Sequence, residues 1–139
     1  MPQLYVLSIL ANIMGGLTLA GDYVGTRFAF LSSFKDIRSN RGRSVTIGIL
    51  AAVVGVLKLV VRSPGETVPV VGDLLPALGG IAVGLMLLAE QLRPGSSATD
   101  AGQKLDRVAS SALTYRVPAG IAGAVIAIVH FLFPAAVIL

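Results

Sequence analysis

The sequence predicts an all-α integral membrane protein with four transmembrane helices, made from a duplicated two-helix hairpin. Three observations predict it: an apolar composition, four long apolar runs, and a match between the two halves of the chain. Of 139 residues, 55% are hydrophobic and 13% are charged, and the mean hydropathy is +0.85. A soluble domain carries about 25% charged residues, and a small one has much surface to cover. This composition suits a chain whose solvent is mostly lipid. The length fits a single membrane domain over residues 1–139. The absence of cysteine excludes disulfides, thiolate metal sites, a cysteine nucleophile and a lipoprotein anchor. The start, Met1-Pro2-Gln3, lacks the positive region of a signal peptide, so the first segment is expected to stay in the mature chain.

A membrane-spanning helix needs about 20 mostly apolar residues. The first qualifying run begins at Leu4 and reaches Ala20, with helix expected to continue over about 4–30. The others cover about 45–61, 68–92 and 117–139. Barrel strands would alternate with period two, and these runs do not. The first connector holds Lys35, Arg38, Arg41 and Arg43, and the third holds Arg93, Lys104, Arg107 and Arg116. The second has Arg62, with Lys58 just inside its helix. The positive-inside rule then puts connectors one and three in the cytoplasm and both termini outside. Residues about 100–116 form an amphipathic connector. "DAGQ" from Asp100 reads as a capped helix start, and Leu105, Val108, Ala109, Ala112 and Leu113 follow at helical spacing. Three placements fit this connector: on the inner membrane surface with Lys104 and Arg107 toward anionic lipid phosphates, docked on a partner, or simply leading into helix four. Pro118 suits that helix's first turn.

The duplication is read from two alignments. "VTIGILAAVVGVLK" from Val45 overlays "VPAGIAGAVIAIVH" from Val117, which matches Gly48 with Gly120 and Ala52 with Ala124 at an offset of 72. "LANIMGGLTLAG" from Leu10 overlays "LLPALGGIAVGL" from Leu74, which puts Gly15 and Gly16 on Gly79 and Gly80 at an offset of 64. Both copies start on the outer side, so the repeat is parallel, with a pseudo-twofold axis along the membrane normal. Lipid gives no hydrophobic drive for helix association, so close contacts depend on small residues. Gly16 with Ala20, and Gly80 with Gly84, are expected to let helices one and three cross closely at the centre. Gly48 with Ala52, and Gly120 with Ala124, are expected to do the same for helices two and four.

Ionisable groups at mid-membrane are costly and usually functional, and none falls there. Asn12 is the main buried polar candidate. It aligns with Pro76, a helix breaker that frees a backbone carbonyl, so Asn12 is expected either to satisfy such a carbonyl or to face a symmetry mate. The charges form two layers. At the outer level Asp73 lies roughly 8 Å into helix three, at a depth that allows a pair with Lys58 or His130. At the inner level are Asp22, Arg27 and Glu90, with a Glu90 to Arg27 pair expected. These groups either anchor helices as structural pairs or line an ion or proton path. His130 is the one residue suited to a pH switch.

Catalysis has little to use. There is no nucleophile elbow, P-loop or dinucleotide fingerprint, so no enzymatic role and no cofactor are expected. A metal site is not expected either, with one His and no Cys. The net charge of +4 is spread between apolar stretches, which signals membrane orientation rather than nucleic-acid binding. Small multidrug transporters match in length and span number, but they carry a central Glu in helix one, where this chain has Asn12 and Met14. The expected role is a structural or accessory subunit, packed against other membrane subunits or against itself in a homo-oligomer. The rival is a small transporter or channel that uses Asp22 and Glu90 at the inner mouth and Asp73 and His130 at the outer. A bacterial cytoplasmic membrane is the expected location.

Overall fold

Helical periodicity and small residues produce a chain that is helical throughout what can be described. The computed structural model describes residues 2–60, 70–93 and 99–133, and the side chains of all of these except residues 2 and 70–73. Seven α-helices lie among the described residues: α1 (Pro2–Leu19), α2 (Gly21–Arg27), α3 (Ser32–Ser39), α4 (Arg41–Val60), α5 (Val70–Leu92), α6 (Asp100–Thr114) and α7 (Arg116–Leu132). A single 3₁₀ turn, Ala29–Leu31, joins α2 to α3.

Two of these helices are long and apolar enough to cross a membrane alone, over Arg41–Val60 and Leu74–Leu92. Two others qualify only as bent pairs, Gln3–Leu19 with Gly21–Arg27 and Asp100–Thr114 with Arg116–Leu132. The continuous helix expected over 4–30 is therefore broken. α1 stops at Leu19, Ala20 leaves the helical region, and α2 turns away by 81°. Glycine makes the turn possible. A Cβ on Gly21 would lie 2.7 Å from the Phe34 carbonyl oxygen, and one on Gly25 would lie 3.1 Å from Lys35 Cβ. These two residues share one face of α2 at a spacing of four, and α3 packs onto that face. Asp22 in the first turn of α2 and Arg27 in its last both suit the helix dipole.

The amphipathic connector is the helix α6, but its cap is Thr99, which accepts from the Gly102 N–H, and not Asp100. It leads into α7 through a bend of 62° at Tyr115. α4 is capped by Asn40, whose Oδ1 accepts from the Arg43 N–H at 3.1 Å.

α1 and α5 run parallel at the centre, but the expected crossing of Gly16 and Ala20 with Gly80 and Gly84 does not form: Gly16 and Ala20 face α7, and Gly84 faces α4. Gly15 packs near Val83, and Gly80 packs near Asn12. α4 and α7 run antiparallel to this pair, and each contacts both of its members. The glycines of α4 and α7 do not meet each other, which corrects the expected crossing of helices two and four. They meet the central pair instead. A Cβ on Gly120 would lie 2.5 Å from the Gly16 carbonyl oxygen, and one on Gly84 would lie 2.6 Å from both Gly48 O and Ala52 N. Leu19, Val83 and Leu87 form the buried centre, with Ile47, Met86 and Ala119 around them.

Asn12 is buried, and its Nδ2 donates to the Pro76 carbonyl at 2.8 Å. This is Pro76's own carbonyl; the one that the proline ring leaves without a donor belongs to Gly72, four residues earlier. Ser8 and Thr18, also buried, donate back to the carbonyls of Tyr5 and Met14 on their own helix. Asn12→Ala is expected to lower stability by about 1 kcal/mol, measured as thermal unfolding in detergent. No change on removing the amide would mean that the bond contributes nothing to the α1–α5 contact.

Candidate functional site

All four long helices bring an end to the level of α2, α3 and α6. The bend at Ala20 swings Asp22 inward there, and α3 supplies Arg38. Glu90 comes from the last turn of α5, and Arg116 opens α7. Arg38 donates through Nη1 to Asp22 Oδ2 and through Nη2 to Glu90 Oε1, with its Nε 3.3 Å from Glu90 Oε2. Arg116 closes the ring, with Nη1 2.9 Å from Glu90 Oε1 and Nη2 3.3 Å from Asp22 Oδ2. Each carboxylate thus receives both guanidiniums, and each guanidinium spans both carboxylates. Two forked donors and two planar acceptors suit such an arrangement.

Burial differs around the ring. The Arg38 and Glu90 side chains are 10% and 16% exposed, whereas Asp22 is 48% exposed. Burial acts to lower the Arg38 pKa, but the hydrogen bonds and charges of Glu90 and Asp22 outweigh it and raise the value above the usual one for arginine. Gln91 adds a clamp, donating from Nε2 to the Arg38 carbonyl at 3.2 Å. An open cleft of about 310 Å³ adjoins the ring, lined by Asp22, Lys35, Asp36, Arg38, Ser39 and Gln91. Beside it, Arg93 pairs with Asp106 at 2.8 Å and ties the end of α5 to α6.

The predicted inner layer is partly corrected. Asp22 and Glu90 come together, but Glu90 pairs with Arg38 and Arg116 rather than with Arg27. Arg27 lies instead over the Tyr23 ring, 5.9 Å from its centroid. Arg38 and Arg116 were legible only as orientation charges. The cue that was available is the run Ala20-Gly21-Asp22, where small residues meet an acid at the end of an apolar stretch.

At the opposite end, Lys58 and His130 gather around a residue that the sequence did not single out. Tyr5 donates its hydroxyl to the His130 carbonyl at 2.7 Å, and the two rings are 5.3 Å apart. Lys58 Nζ lies 5.5 Å from the Tyr5 ring centroid, within cation–π reach. The Asp73 side chain, the expected partner of this pair, lies outside the described residues. Gly79 has open space around its Cβ position, unlike the other glycines named in the packing stripes. Among the described residues, no three His, Asp or Glu side chains converge on a metal position.

No curated protein and no solved structure matches the chain. A family model matches residues 1–130, nearly the whole sequence, and the protein belongs to that family, one of unknown function.

Proposed function

We propose that this chain is a four-span membrane protein with no enzymatic role, a structural or accessory subunit that packs against other membrane subunits or against itself. In this reading each bent pair forms one span with a connector at its inner end. The Lys- and Arg-rich connectors face the cytoplasm, both chain ends lie outside, and the membrane is a bacterial cytoplasmic one. The observation that carries the role is the closed ring. The carboxylates an inner ion path would use are each held by two guanidiniums, one of them buried, and therefore act as structural ties. Around the ring, glycine contacts hold the helices at backbone distance, and the outward faces of α1, α4, α5 and α7 present residues such as Leu10, Leu50, Leu85 and Val125.

The same contacts support a hairpin duplication, with a revised register. Gly16 faces Gly120 O, Ala124 N and Ala124 Cβ, while Gly84 faces Gly48 O, Ala52 N and Ala52 Cβ. These are the same atoms, 72 residues apart in sequence. Gly16 and Gly84 are 68 residues apart, as are the buried Leu19 and Leu87 and the ring acids Asp22 and Glu90. An offset of 68 in place of 64 therefore makes the two carboxylates equivalent.

Purification from native membranes in mild detergent, followed by mass spectrometry, tests the role. Stoichiometric foreign subunits or a discrete homo-oligomer are expected; a lone monomer would sink the reading. The rival, a transporter or channel, draws on the open cleft beside Asp22. Liposome flux assays separate the two. Asp22→Asn and Glu90→Gln are expected to weaken assembly or stability without touching a flux, whereas flux in the parent protein that both variants abolish would favour the rival.

A further inference from the structure

The apolar arc of α6 is divided between two surroundings. At about 100° per residue, Gly102, Ala109 and Leu113 share one edge, and these are buried or half-buried against the bundle. Leu105 and Val108 form the adjoining edge, and they are 68% and 69% exposed. Lys104 follows next around the helix, and Arg107 follows beyond it; both are exposed. Of the two acids of α6, Asp106 is paired with Arg93, whereas Asp100, in the first turn, lies four residues before Lys104 on the same face, so Lys104 and Arg107 leave that face with one net positive charge. The 62° bend at Tyr115 turns this helix away from the axis of α7. The connector at the same end behaves alike, leaving Phe28 and Phe30 exposed beside Arg27.

We propose that α6 is an interfacial helix whose Leu105–Val108 edge enters the lipid while Lys104 and Arg107 contact anionic headgroups. The inference rests on the membrane-spanning reading above. It goes beyond that reading by fixing which edge of α6 meets lipid and which lipid chemistry it selects. An edge of two large apolar side chains flanked by cations is what an interfacial helix presents, seated about 5–10 Å into the headgroup and acyl boundary. A protein partner would instead need acids of its own to meet Lys104 and Arg107.

The chain contains no tryptophan, so a single introduced indole reports its own position. Leu105→Trp, Gln103→Trp on the opposite side of α6, and Val53→Trp on the outward face of α4 are each made in the full chain. The probes are nanodiscs of phosphatidylcholine with and without phosphatidylglycerol, brominated acyl chains as a lipid quencher, and iodide as an aqueous one. Leu105→Trp is expected to emit further to the blue than Gln103→Trp and to be quenched severalfold more by brominated lipid. Phosphatidylglycerol is expected to increase that quenching, and Lys104→Gln with Arg107→Gln is expected to cancel the increase. Iodide quenching of Leu105→Trp equal to that of Gln103→Trp overturns the proposal. Shielding of Leu105→Trp from both quenchers also overturns it and points to a protein contact. Insensitivity to phosphatidylglycerol overturns the headgroup contact. Val53→Trp keeps the two readings apart: lipid quenching there with none at Leu105→Trp defeats this inference alone, whereas no lipid quenching at Val53→Trp defeats the spanning reading itself.

Discussion

Replacing Arg38 with Ala is expected to destabilise the folded bundle by about 3 kcal/mol, because breaking a buried ion pair from one side leaves its partner charge uncompensated. The cost falls mainly on Glu90, which is largely buried; half-exposed Asp22 recovers hydration and contributes less. Arg116 stays in contact with both carboxylates, which keeps the loss from being larger. Arg116→Ala is expected to cost about 1 kcal/mol, since that side chain is a third exposed and better screened. Arg38→Ala combined with Glu90→Gln is expected to cost less than the sum of the two single changes, as groups within one network do. Unfolding of the purified variants in detergent measures all four. Arg38→Ala matching Lys35→Ala, a nearby cation outside the ring, would show that the ring does not hold the bundle. The pH dependence has a definite sign. A folded-state pKa raised above the unfolded value gives stability that is complete at lower pH and fades only as pH climbs through the raised value. Raising the pH from about 7 to about 10 therefore leaves the Arg38 contribution intact.

Gly84→Val is expected to cost about 3 kcal/mol or more, the upper range for overpacking a filled contact. A Cβ at Gly84 would lie 2.6 Å from two backbone atoms of α4, Ala52 N and Gly48 O. Backbone atoms inside a helix cannot swing aside as a side chain can, so α4 and α5 must separate along their length. Gly16→Val is expected to act alike on the α1–α7 pair, where its Cβ would meet Gly120 O and Ala124 N. Gly79→Ala has the opposite sign. With nothing within 4 Å of its Cβ position, it gains helix propensity of up to about 1 kcal/mol. Thermal melts of Gly84→Val and Gly79→Ala form the test; equal losses would mean that the close approach is not what glycine at 84 provides.

Much of the helical content was legible because long apolar runs and small-residue stripes are local signals. The shared depth of Asn12 and Pro76 was legible for the same reason, but the carbonyl that Asn12 binds is Pro76's own, and the small residues expected to pair α1 with α5 serve the contacts with α7 and α4 instead. The break at Ala20 was not. The segment after Ala20 is apolar enough at Tyr23, Val24 and Phe28 to read as more of the same helix, and the 81° turn is set by how Gly21 and Gly25 accept α3, a contact between segments. Arg38 and Arg116 were hidden differently. A basic residue in a connector predicts orientation whether it stays in water or folds back over a carboxylate, and only the placement of α3 and α7 decides between these. The Glu90 to Arg27 pairing failed because it assumed a straight helix one and an offset of 64, whereas the contacts align Glu90 with Asp22. Tyr5 was missed because an aromatic near the end of an apolar helix is commonplace, and nothing local ties it to His130, 125 residues away.

The glycine contacts divide the bundle into two close pairs of very different origin. α4 and α5 are neighbours in the chain, separated by residues 61–69, whereas α1 and α7 are its first and last described helices. Synthesis at about 5–20 residues per second therefore leaves α1 waiting on the order of ten seconds before α7 exists. Throughout that interval the backbone groove at Gly16 lacks the Gly120 and Ala124 backbone that fills it in the finished bundle. The second pair has no such delay, and α1 meets α4 and α5 as well, so of the two close pairs only the α1–α7 contact must wait for the end of the chain.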